Sequence, residues 1–346
     1  MRSPNLLFTS AGRRDYLIEC FAAVLGQQGQ IHVGNSDSLC SAFTVGEAHV
    51  VTPPIHSKHY VTFLLDYCKQ HKIDTVIPLF DIDVAVLAGA KDLFARTGIE
   101  VIAPSPNVAE ICNDKWKTYQ FLSAAGIQTP RTYLNRESAI EAVNSGDLEF
   151  PLIVKPRWGM GSIGLIQAED ADELGLVYEF VRRRIFSSYL QFESSSEPDA
   201  AVLIQERAKG VEYGLDVFND FQGRHVVTVA KRKLAMRAGE TDMATTEERN
   251  DLTALGFRLG NLLGHPGNLD VDVFVDGTEV SVLELNCRFG GGYPFTHAAG
   301  ANFPAAIIAW LNGKEPNPHW LRARSGVTSL KSILTKPWSK NQKFAD

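Results

Sequence analysis

An apolar segment near the middle of the chain ends at Lys155, and Gly159, Gly161 and Gly164 follow within nine residues. Glycines let backbone N–H groups approach phosphate oxygens, and a lysine ammonium supplies positive charge to the same oxygens. We therefore interpret Lys155, Gly159, Gly161 and Ser162 as part of a nucleotide phosphate site. A structural turn without a ligand is the alternative.

The spacing of these glycines also matches GxGxxG, the pattern of dinucleotide-binding sites. That pattern has to open a helix, whereas residues 164–168 have the composition of a second strand. A nicotinamide-dependent oxidoreductase is therefore an alternative supported only by this spacing and by a βαβ pattern in the first hundred residues.

Oxygen-bearing side chains alternate with Val and Leu in the last third of the chain. A turn at Asp276-Gly277 predicts a hairpin of two antiparallel strands. Alternation places Glu284 and Asn286 on one face of the second strand, and the hairpin can bring Asp272 across from them.

Two carboxylates and an amide oxygen are hard ligands of the kind that Mg²⁺ prefers, with Mn²⁺ as an alternative ion. Asp272, Glu284 and Asn286 are therefore the predicted metal ligands. Arg288 follows directly and can bind a transferring phosphate or the charge of a tetrahedral intermediate. The alternative is a solvated hairpin edge with ordinary surface charges.

A strand ending at Gln205-Glu206 reverses through Gly210 towards Glu212. Main-chain groups and the carboxylate of Glu206 can meet an adenine edge, and Glu212 can meet a ribose hydroxyl. This pattern is weakly specific by itself.

Taken in order, these segments resemble the ATP-grasp superfamily, and within it the group similar to the large subunit of carbamoyl phosphate synthetase. The resemblance spans about residues 113–296, with a looser likeness before them. It implies a nucleotide-binding lysine in the pair Asp114-Lys115. It also implies roles for the residues described above: nucleotide binding by Lys155 and the glycine-rich loop, adenine and ribose contacts by Glu206 and Glu212, metal binding by Asp272, Glu284 and Asn286, and catalysis by Arg288.

The chain departs from this family in two positions. Asn286-Cys287-Arg288 replaces the common Asn-Pro-Arg, and Asp272 stands where the carbamoyl phosphate enzymes carry Gln. Neither change removes an oxygen ligand.

The predicted fold class is α/β followed by α+β. Alternating short apolar runs and helical patterns predict a Rossmann-like parallel sheet in residues 1–112, a pre-ATP-grasp domain. A two-subdomain ATP-grasp fold is expected to follow. Its small subdomain with the glycine-rich loop is predicted at residues 113–206, its C-terminal subdomain with the metal site at 207–330, and a tail at 331–346.

Several local features are predicted from composition. Residues 109–125 are expected to form a helix, and the polar residues 192–198 and 237–248 are expected to be loops. The second loop is a candidate mobile flap.

Other polar residues are candidates with open alternatives. Lys231, Arg232 and Arg237 precede the candidate flap and could meet phosphate or a substrate carboxylate; Lys231 and Arg237 join Arg288 as predicted catalytic residues. A basic solvated face is the alternative. Asp81 and Asp83 could hold an acceptor amine or cap a helix, and Tyr293 and His297 could line a substrate pocket.

Composition excludes several classes of protein. The 346 residues are 45% hydrophobic and 21% charged, which is typical of globular proteins. A net charge of −6 without a basic run speaks against a nucleic-acid partner. The five cysteines are odd in number and never in CxxC, and neither a signal peptide nor a membrane span is expected, so a cytoplasmic location is predicted.

The expected activity is ATP-dependent ligation. With ATP and Mg²⁺, a small carboxylate would be activated as an acyl phosphate and joined to an amine, releasing ADP and phosphate. The expected partners are therefore a small carboxylate and a small amine, and a homodimer is left open. A non-catalytic ATP-binding sensor on the same scaffold is a further alternative.

Overall fold

The computed structural model describes residues 4–27, 29–159 and 164–337. Within these ranges, no helix is long and apolar enough to cross a lipid bilayer. The described strands form three sheets, which follow one another along the chain. These sheets fall within the three predicted segments, and the exact limits of the segments stay a prediction.

The first domain is a parallel sheet with helices between its strands. Its elements are β1 (Leu6–Thr9), α1 (Asp15–Leu25), β2 (Ile31–Asn35), a 3-10 turn (Ser41–Thr44), β3 (Ala48–Val51), α2 (Tyr60–His71), β4 (Thr75–Pro78), α3 (Asp81–Ala95) and β5 (Glu100–Val101). The strand order is β3-β2-β1-β4-β5. Leu7 packs into the core on one face of β1, whereas Leu6 and Phe8 pack into the core on the other. Because both faces are covered, the sheet is doubly wound as predicted, although β3 was not anticipated.

Two helices, rather than one, connect the first domain to the next sheet. They are α4 (Pro106–Asn113) and α5 (Lys115–Ala124). Asp114 between them has an extended backbone, and its carboxylate accepts a hydrogen bond of 2.9 Å from the backbone N–H of Trp116. An N-cap residue cannot be helical. The single helix predicted over residues 109–125 is therefore wrong at its centre.

A buried ion pair fixes this break against the second sheet. Arg157 donates from Nε and Nη2 to the two carboxylate oxygens of Asp114, at 2.8 and 2.7 Å. Both side chains are at most 4% exposed. At its outer end, Arg157 also pairs with Glu197 at 2.8 Å. The start of α5, and hence Lys115, is therefore held at the base of the glycine-rich segment.

The second sheet is antiparallel and has the order β6-β9-β7-β8. Its segment contains β6 (Thr132–Tyr133), α6 (Arg136–Asn144), β7 (Leu152–Pro156), β8 (Ile166–Ala168), α7 (Ala171–Phe186), α8 (Gln191–Ser194), a 3-10 turn (Pro198–Ala200) and β9 (Val202–Glu206). The loop predicted at residues 192–198 is thus partly helical.

The third sheet is also antiparallel, in the order β14-β13-β10-β11-β12-β15. Its elements are β10 (Val211–Asn219), β11 (His225–Arg237), β12 (Glu240–Glu247), α9 (Asn250–Leu263), β13 (Gly267–Asp276), β14 (Glu279–Asn286), α10 (Tyr293–Ala298), α11 (Phe303–Leu311), a 3-10 turn (Pro318–Leu321) and β15 (Thr328–Leu330). The change from a parallel sheet to antiparallel sheets confirms the predicted fold class.

The loop predicted over residues 237–248 is wrong, because β12 occupies most of it. Thr241, Ala244 and Thr246 are buried, and the pairing with β11 has a register irregularity between residues 241 and 243. β12 pairs with β11 on one side and with β15 on the other. Threonine suits a half-buried pleated strand, so a polar composition did not mean a loop here.

The described part of the predicted tail contacts the first domain. Lys336 Nζ lies 2.5 Å from Asp15 Oδ2 and 2.7 Å from Glu19 Oε1, both on α1. Residues 338–346 lie outside the described part of the chain.

Replacing Asp114 by alanine is expected to lower the free energy of unfolding by about 3–5 kcal/mol, because it breaks a buried ion pair from one side. Glu197→Ala is the matched control, since its carboxylate is 54% exposed and its loss is expected to cost about 1 kcal/mol or less. Chemical denaturation of both variants measures the difference. Equal losses would contradict a dominant role for the Asp114–Arg157 pair.

Candidate functional site

The predicted oxygen ligands meet on one face of the β13–β14 hairpin. Asp272 is the direct register partner of Glu284, and Asp270 is the partner of Asn286. Alternation along β13 puts Asp270 on the same face as Asp272. Gly290 makes room for Asp270, because a Cβ at residue 290 would lie 2.0 Å from the Asp270 carboxyl carbon. The sequence predicted three of these four oxygen-bearing residues and missed Asp270.

Two lysines from other elements neutralise Glu284. Lys115 Nζ, at the start of α5, lies 3.2 Å from Glu284 Oε1 and also donates to the carbonyl oxygen of Gly159. Burial alone would raise the pKa of Glu284, but the ammonium groups of Lys115 and Lys155 outweigh it and lower that pKa below its usual value. Glu284 is therefore held as a carboxylate.

Lys155 is buried at the end of β7 and is oriented by an amide. Its Nζ donates to Gln205 Oε1 at 2.7 Å, and Gln205 Nε2 donates to Thr132 Oγ1 at 2.8 Å. Burial and the neighbouring Lys115 lower the pKa of Lys155 to about 8, while Glu284 opposes the shift. The side chain of Gln205, predicted as a nucleotide contact, thus orients Lys155 in this structure.

Lys233 is a third cation at the site, and the sequence did not predict it. Its Nζ lies 2.7 Å from Asp272 Oδ1 and 2.6 Å from Glu212 Oε1. Burial alone would lower the pKa of Lys233, but these two carboxylates hold it above its ordinary value. Lys233 therefore links Glu212, the predicted ribose contact, to the predicted metal ligand Asp272.

The three basic residues predicted near the end of β11 have different surroundings. Lys231 is buried, pairs with Asp216 and donates to Thr296 Oγ1 at 3.2 Å, and it lines the cavity described below. Arg232 points to the other face and pairs with Glu247 at 2.8 Å. Arg237 pairs with Asp242 at 2.5 Å inside the β11–β12 hairpin and is about half exposed. Arg237 is not among the residues that line that cavity, and the catalytic roles of Arg237 and Lys231 both stay predictions.

Arg288 is buried and tied to the first domain. It donates from Nε and Nη2 to Asp81 Oδ2 at 3.0 and 2.8 Å, and its Nη1 lies 3.7 Å from Asp270 Oδ2. Burial would lower the pKa of Arg288, but Asp81 and Asp270 raise it. Asp81 therefore positions Arg288 in this structure, and an amine contact by Asp81 stays a prediction. Asp83 accepts a hydrogen bond of 2.8 Å from the Tyr60 hydroxyl.

The side chain of Cys287 lies on the opposite face from the oxygen ligands. It packs in the hydrophobic core, and its Sγ lies 3.0 Å from Cys112 Sγ. Burial raises the pKa of the Cys287 thiol. Replacement of the common proline by Cys287 therefore leaves the polar face of β14 unchanged.

A cavity of about 420 Å³ lies between this polar face and the first domain. One wall carries residues of the third sheet, including Asp270, Asp272, Glu284, Asn286 and Arg288. The other wall comes mainly from the turn between β1 and α1, and part of the β11–β12 hairpin closes one side. The cavity therefore joins the predicted metal ligands to the first domain.

Two residues predicted to line a substrate pocket do not line this cavity. The Tyr293 hydroxyl is buried, accepts from the backbone N–H of Phe303 at 3.1 Å and contacts His297 Nδ1 at 3.1 Å. Tyr293 packs in the hydrophobic core, and a substrate contact by either residue stays a prediction.

The glycine-rich segment is described only at its ends. Gly159 has φ +136, a conformation that favours glycine, and receives the Lys115 hydrogen bond. Gly161 and Ser162 lie outside the described residues. β8 after the loop is a strand paired with β7, so the GxGxxG spacing does not open a helix and does not support dinucleotide binding.

Glu206 lies at the end of β9, where the chain turns towards the third sheet. Its Oε2 accepts a hydrogen bond of 3.2 Å from the backbone N–H of Arg131, and its own N–H donates to the Arg131 carbonyl at 2.8 Å. The predicted adenine contact by Glu206 stays a prediction.

The oxygen set suits Mg²⁺. In the described ranges, no cluster of three or more His, Cys, Asp or Glu side chains is arranged to hold a metal alone. Mg²⁺ characteristically uses one or two carboxylates together with waters and substrate phosphates. Asp272 and Glu284 as register partners, with Asn286 two residues further along β14, fit that requirement.

Lys233, Asp270 and Arg14, which lines the cavity from the first domain, are the residues that sequence reasoning missed. The alternation of a strand was a usable signal for the first two, since Lys233 follows Lys231 by two and Asp270 precedes Asp272 by two. The approach of Arg14 depends on domain packing and leaves no local pattern.

Comparison with known proteins identifies two family models. The model described as PylC-like, N-terminal domain matches residues 6–102, and the ATP-grasp domain model matches residues 112–292. The carbamoyl-phosphate synthase of Methanobrevibacter smithii is 31% identical over 256 residues, covering 71% of this chain and 65% of that protein. The chain spans only 20% and 25% of two longer carbamoyl phosphate synthase large chains that it also matches.

Solved structures share the fold at low sequence identity. The biotin carboxylase domain of Hydrogenobacter thermophilus 2-oxoglutarate carboxylase, a dimer in complex with MgADP, ADP and bicarbonate, has a TM-score of 0.73 at 14% identity, covering 95% of this chain and 74% of that one. An L-amino acid ligase from Bacillus licheniformis has a TM-score of 0.71 at 16% identity, covering 95% and 80%.

The ATP-grasp model covers more than half of the chain. Its residues include the whole second sheet and strands β10 to β14 of the third. The predicted resemblance, including the distant relation to the carbamoyl phosphate synthase large chain, is therefore confirmed. The chain belongs to the ATP-grasp family of ATP-dependent ligases.

Proposed function

We propose that this protein activates a small carboxylate as an acyl phosphate and joins it to an amine, with release of ADP and phosphate. The single observation that carries the proposal is the convergence of Lys115 and Lys155 on Glu284, which is itself the register partner of Asp272. Cations suited to a polyphosphate and oxygens suited to Mg²⁺ therefore share one site.

The reaction would proceed in two steps. An oxygen of the substrate carboxylate attacks the γ-phosphorus of ATP, the bond to the β,γ-bridging oxygen breaks, and ADP leaves. The amine nitrogen then attacks the carbonyl carbon of the acyl phosphate, the bond to phosphate oxygen breaks, and inorganic phosphate and a proton are released. The protein contributes positioning and charge neutralisation rather than a covalent nucleophile.

Each residue of the site has a proposed part in these steps. Lys115 and Lys155 would bind the phosphates, and Arg288 would bind charge that develops on the transferring group or on the tetrahedral intermediate. Asp272, Glu284 and Asn286 would hold Mg²⁺, which supplies neutralisation of the phosphate charge. Asp81 fixes the guanidinium of Arg288 by two hydrogen bonds to one oxygen, so its orientation is set before substrate binds.

The cavity between the third sheet and the first domain would hold the carboxylate and the amine. It borders Glu284, Asn286 and Arg288, so a molecule within it reaches the groups that handle phosphate. Pockets of a few hundred Å³ are typical of small-molecule sites. The proposed substrates are therefore small metabolites.

Glu284→Gln is expected to lower substrate-dependent ADP release by at least about 100-fold, since even partners of metal ligands cost about 10–100-fold when removed. Glu279→Gln is the matched control, because it makes the same change at an exposed position of the same hairpin. ADP release is measured with small carboxylates paired with amines. A rate unaffected by Glu284→Gln would reject the metal assignment.

Lys155 is expected to take up a proton when MgADP binds at alkaline pH. With a pKa of about 8, Lys155 is mostly neutral at pH 8.5 in the free protein, and phosphate oxygens favour its charged form. Uptake of about 0.7 proton is expected at pH 8.5 and almost none from this group at pH 6.5. Calorimetric titration in buffers of different ionisation enthalpy measures it.

Lys155→Arg is the matched variant, because arginine keeps its charge at both pH values. It should bind MgADP without this uptake at pH 8.5. Equal uptake in the variant and the unchanged protein would show that Lys155 does not contact the nucleotide phosphates.

A further inference from the structure

The basic residues that line the cavity fall into two sets: those that form ion pairs with carboxylates of this chain, and those that do not. On the third-sheet wall, Lys233 lies 2.7 Å from Asp272, Arg288 lies 2.8 Å from Asp81, and Lys231 pairs with buried Asp216. On the opposite wall, Arg13 and Arg14 line the same cavity. Neither arginine side chain makes an ion pair or hydrogen bond within the described residues.

Arg14 is half-buried and stands close to another guanidinium. Burial and the charge of Arg288 lower the pKa of Arg14, while Tyr16, Asp81 and Glu240 oppose this shift without forming an ion pair with it in the described residues. An arginine keeps its proton at physiological pH despite such a shift. A partly desolvated cation beside a second cation is costly unless an anion accompanies it.

The turn between β1 and α1, which carries Arg14, is held by hydrogen bonds to neighbouring segments. Gly12 N donates to Asn35 Oδ1 at 3.1 Å, and Gly12 O accepts from Cys40 Sγ at 2.9 Å. Arg14 itself is the N-cap residue of α1, and no side chain within the described part of the chain caps that helix. An anion next to Arg14 would therefore also lie near the positive end of an 11-residue helix.

The residues that would bind the nucleotide phosphates belong to elements other than the turn that carries Arg14. The lysines that face the predicted phosphate site, Lys115 and Lys155, belong to α5 and β7, whereas Arg13 and Arg14 approach from the first domain. Neither Lys115 nor Lys155 lines the cavity that Arg14 lines. In the proposed reaction, the carboxylate that is phosphorylated lies at the third-sheet wall, beside Arg288 and the predicted metal ligands. The wall that carries Arg14 is then left to the acceptor.

We infer that Arg14, with Arg13 at the rim, binds an anionic group of the amine acceptor, so that the acceptor is an amine that also carries a carboxylate or a phosphate. This inference rests on the proposed ligase function. Both anions match the planar fork of a guanidinium, which donates two parallel hydrogen bonds. The cavity of about 420 Å³ limits the acceptor to a small molecule.

Binding of three matched amines tests the inference. β-Alanine carries a carboxylate, O-phosphoethanolamine carries a phosphate, and propylamine carries neither. Calorimetric titration in the presence of MgADP is expected to give at least about 10-fold tighter binding of one anionic amine than of propylamine, because charge-assisted hydrogen bonds are the strong ones. The favoured anion distinguishes a carboxylate acceptor from a phosphorylated one.

Arg14→Gln is expected to weaken binding of the favoured anionic amine by about 10- to 100-fold and to leave propylamine unchanged. Arg14→Lys should retain part of the preference, since the charge remains. Arg183→Gln, an exposed change on α7, is the control and should bind like the unchanged protein. Unchanged affinity in Arg14→Gln, or no preference for either anionic amine, overturns the inference.

ADP release with the same amines separates this inference from the proposed function. Arg14-dependent binding without ADP release from any carboxylate and amine pair would support the anion site and reject the ligase activity. ADP release with equal kcat/KM for propylamine and the anionic amines would support the ligase activity and reject the anion site. Unchanged MgADP affinity in Arg14→Gln verifies that the variant is folded.

Discussion

Charge compensation on one face of the β13–β14 hairpin is the interaction on which the site depends. Asp272 and Glu284 are direct register partners, and like charges in that arrangement repel each other. The face is stable because cations approach from other elements: Lys115 lies 3.2 Å from Glu284, and Lys233 lies 2.7 Å from Asp272. A divalent ion would add to this compensation rather than create it. The arrangement of the carboxylates is therefore inseparable from the placement of the lysines.

That placement couples the domains to one another. Lys115 is fixed by the Asp114–Arg157 ion pair, which joins α5 to the end of β7, and Arg288 is fixed by Asp81 at the start of α3. Each buried pair joins segments that are far apart in sequence. Since removal of one partner leaves a buried charge, such pairs resist independent movement of the segments that they join. The polar face is thus assembled from the first domain and both antiparallel sheets, and no single domain contains it.

The sequence predicted those parts of the structure that depend on local pattern. Apolar runs revealed β1 and β4, and the Asp276-Gly277 turn with its alternating flanks revealed the hairpin that carries Asp272 and Glu284. It did not predict the break between α4 and α5 at Asp114. The residues on both sides have a helical pattern, which hides the N-cap role of Asp114. The polar composition of β12 predicted a loop, because threonines that are buried in the structure count as polar residues in the sequence. Arg14 was missed for another reason: its approach to the cavity depends on the packing of the first domain against the third sheet, which a single segment does not encode.

The two walls of the cavity divide the proposed chemistry. The third-sheet wall carries the carboxylates and Arg288, which act on phosphate whatever the acceptor is, and its charges are largely paired within the chain. The wall from the first domain carries Arg14, which forms no ion pair in the described part of the chain and whose pKa is lowered by burial and by the charge of Arg288. Paired charges keep a site organised before substrate binds, whereas an unpaired one gains free energy only when a ligand supplies the counter-charge. Selection of the acceptor would then reside in the β1–α1 turn, and activation of the carboxylate in the two antiparallel sheets.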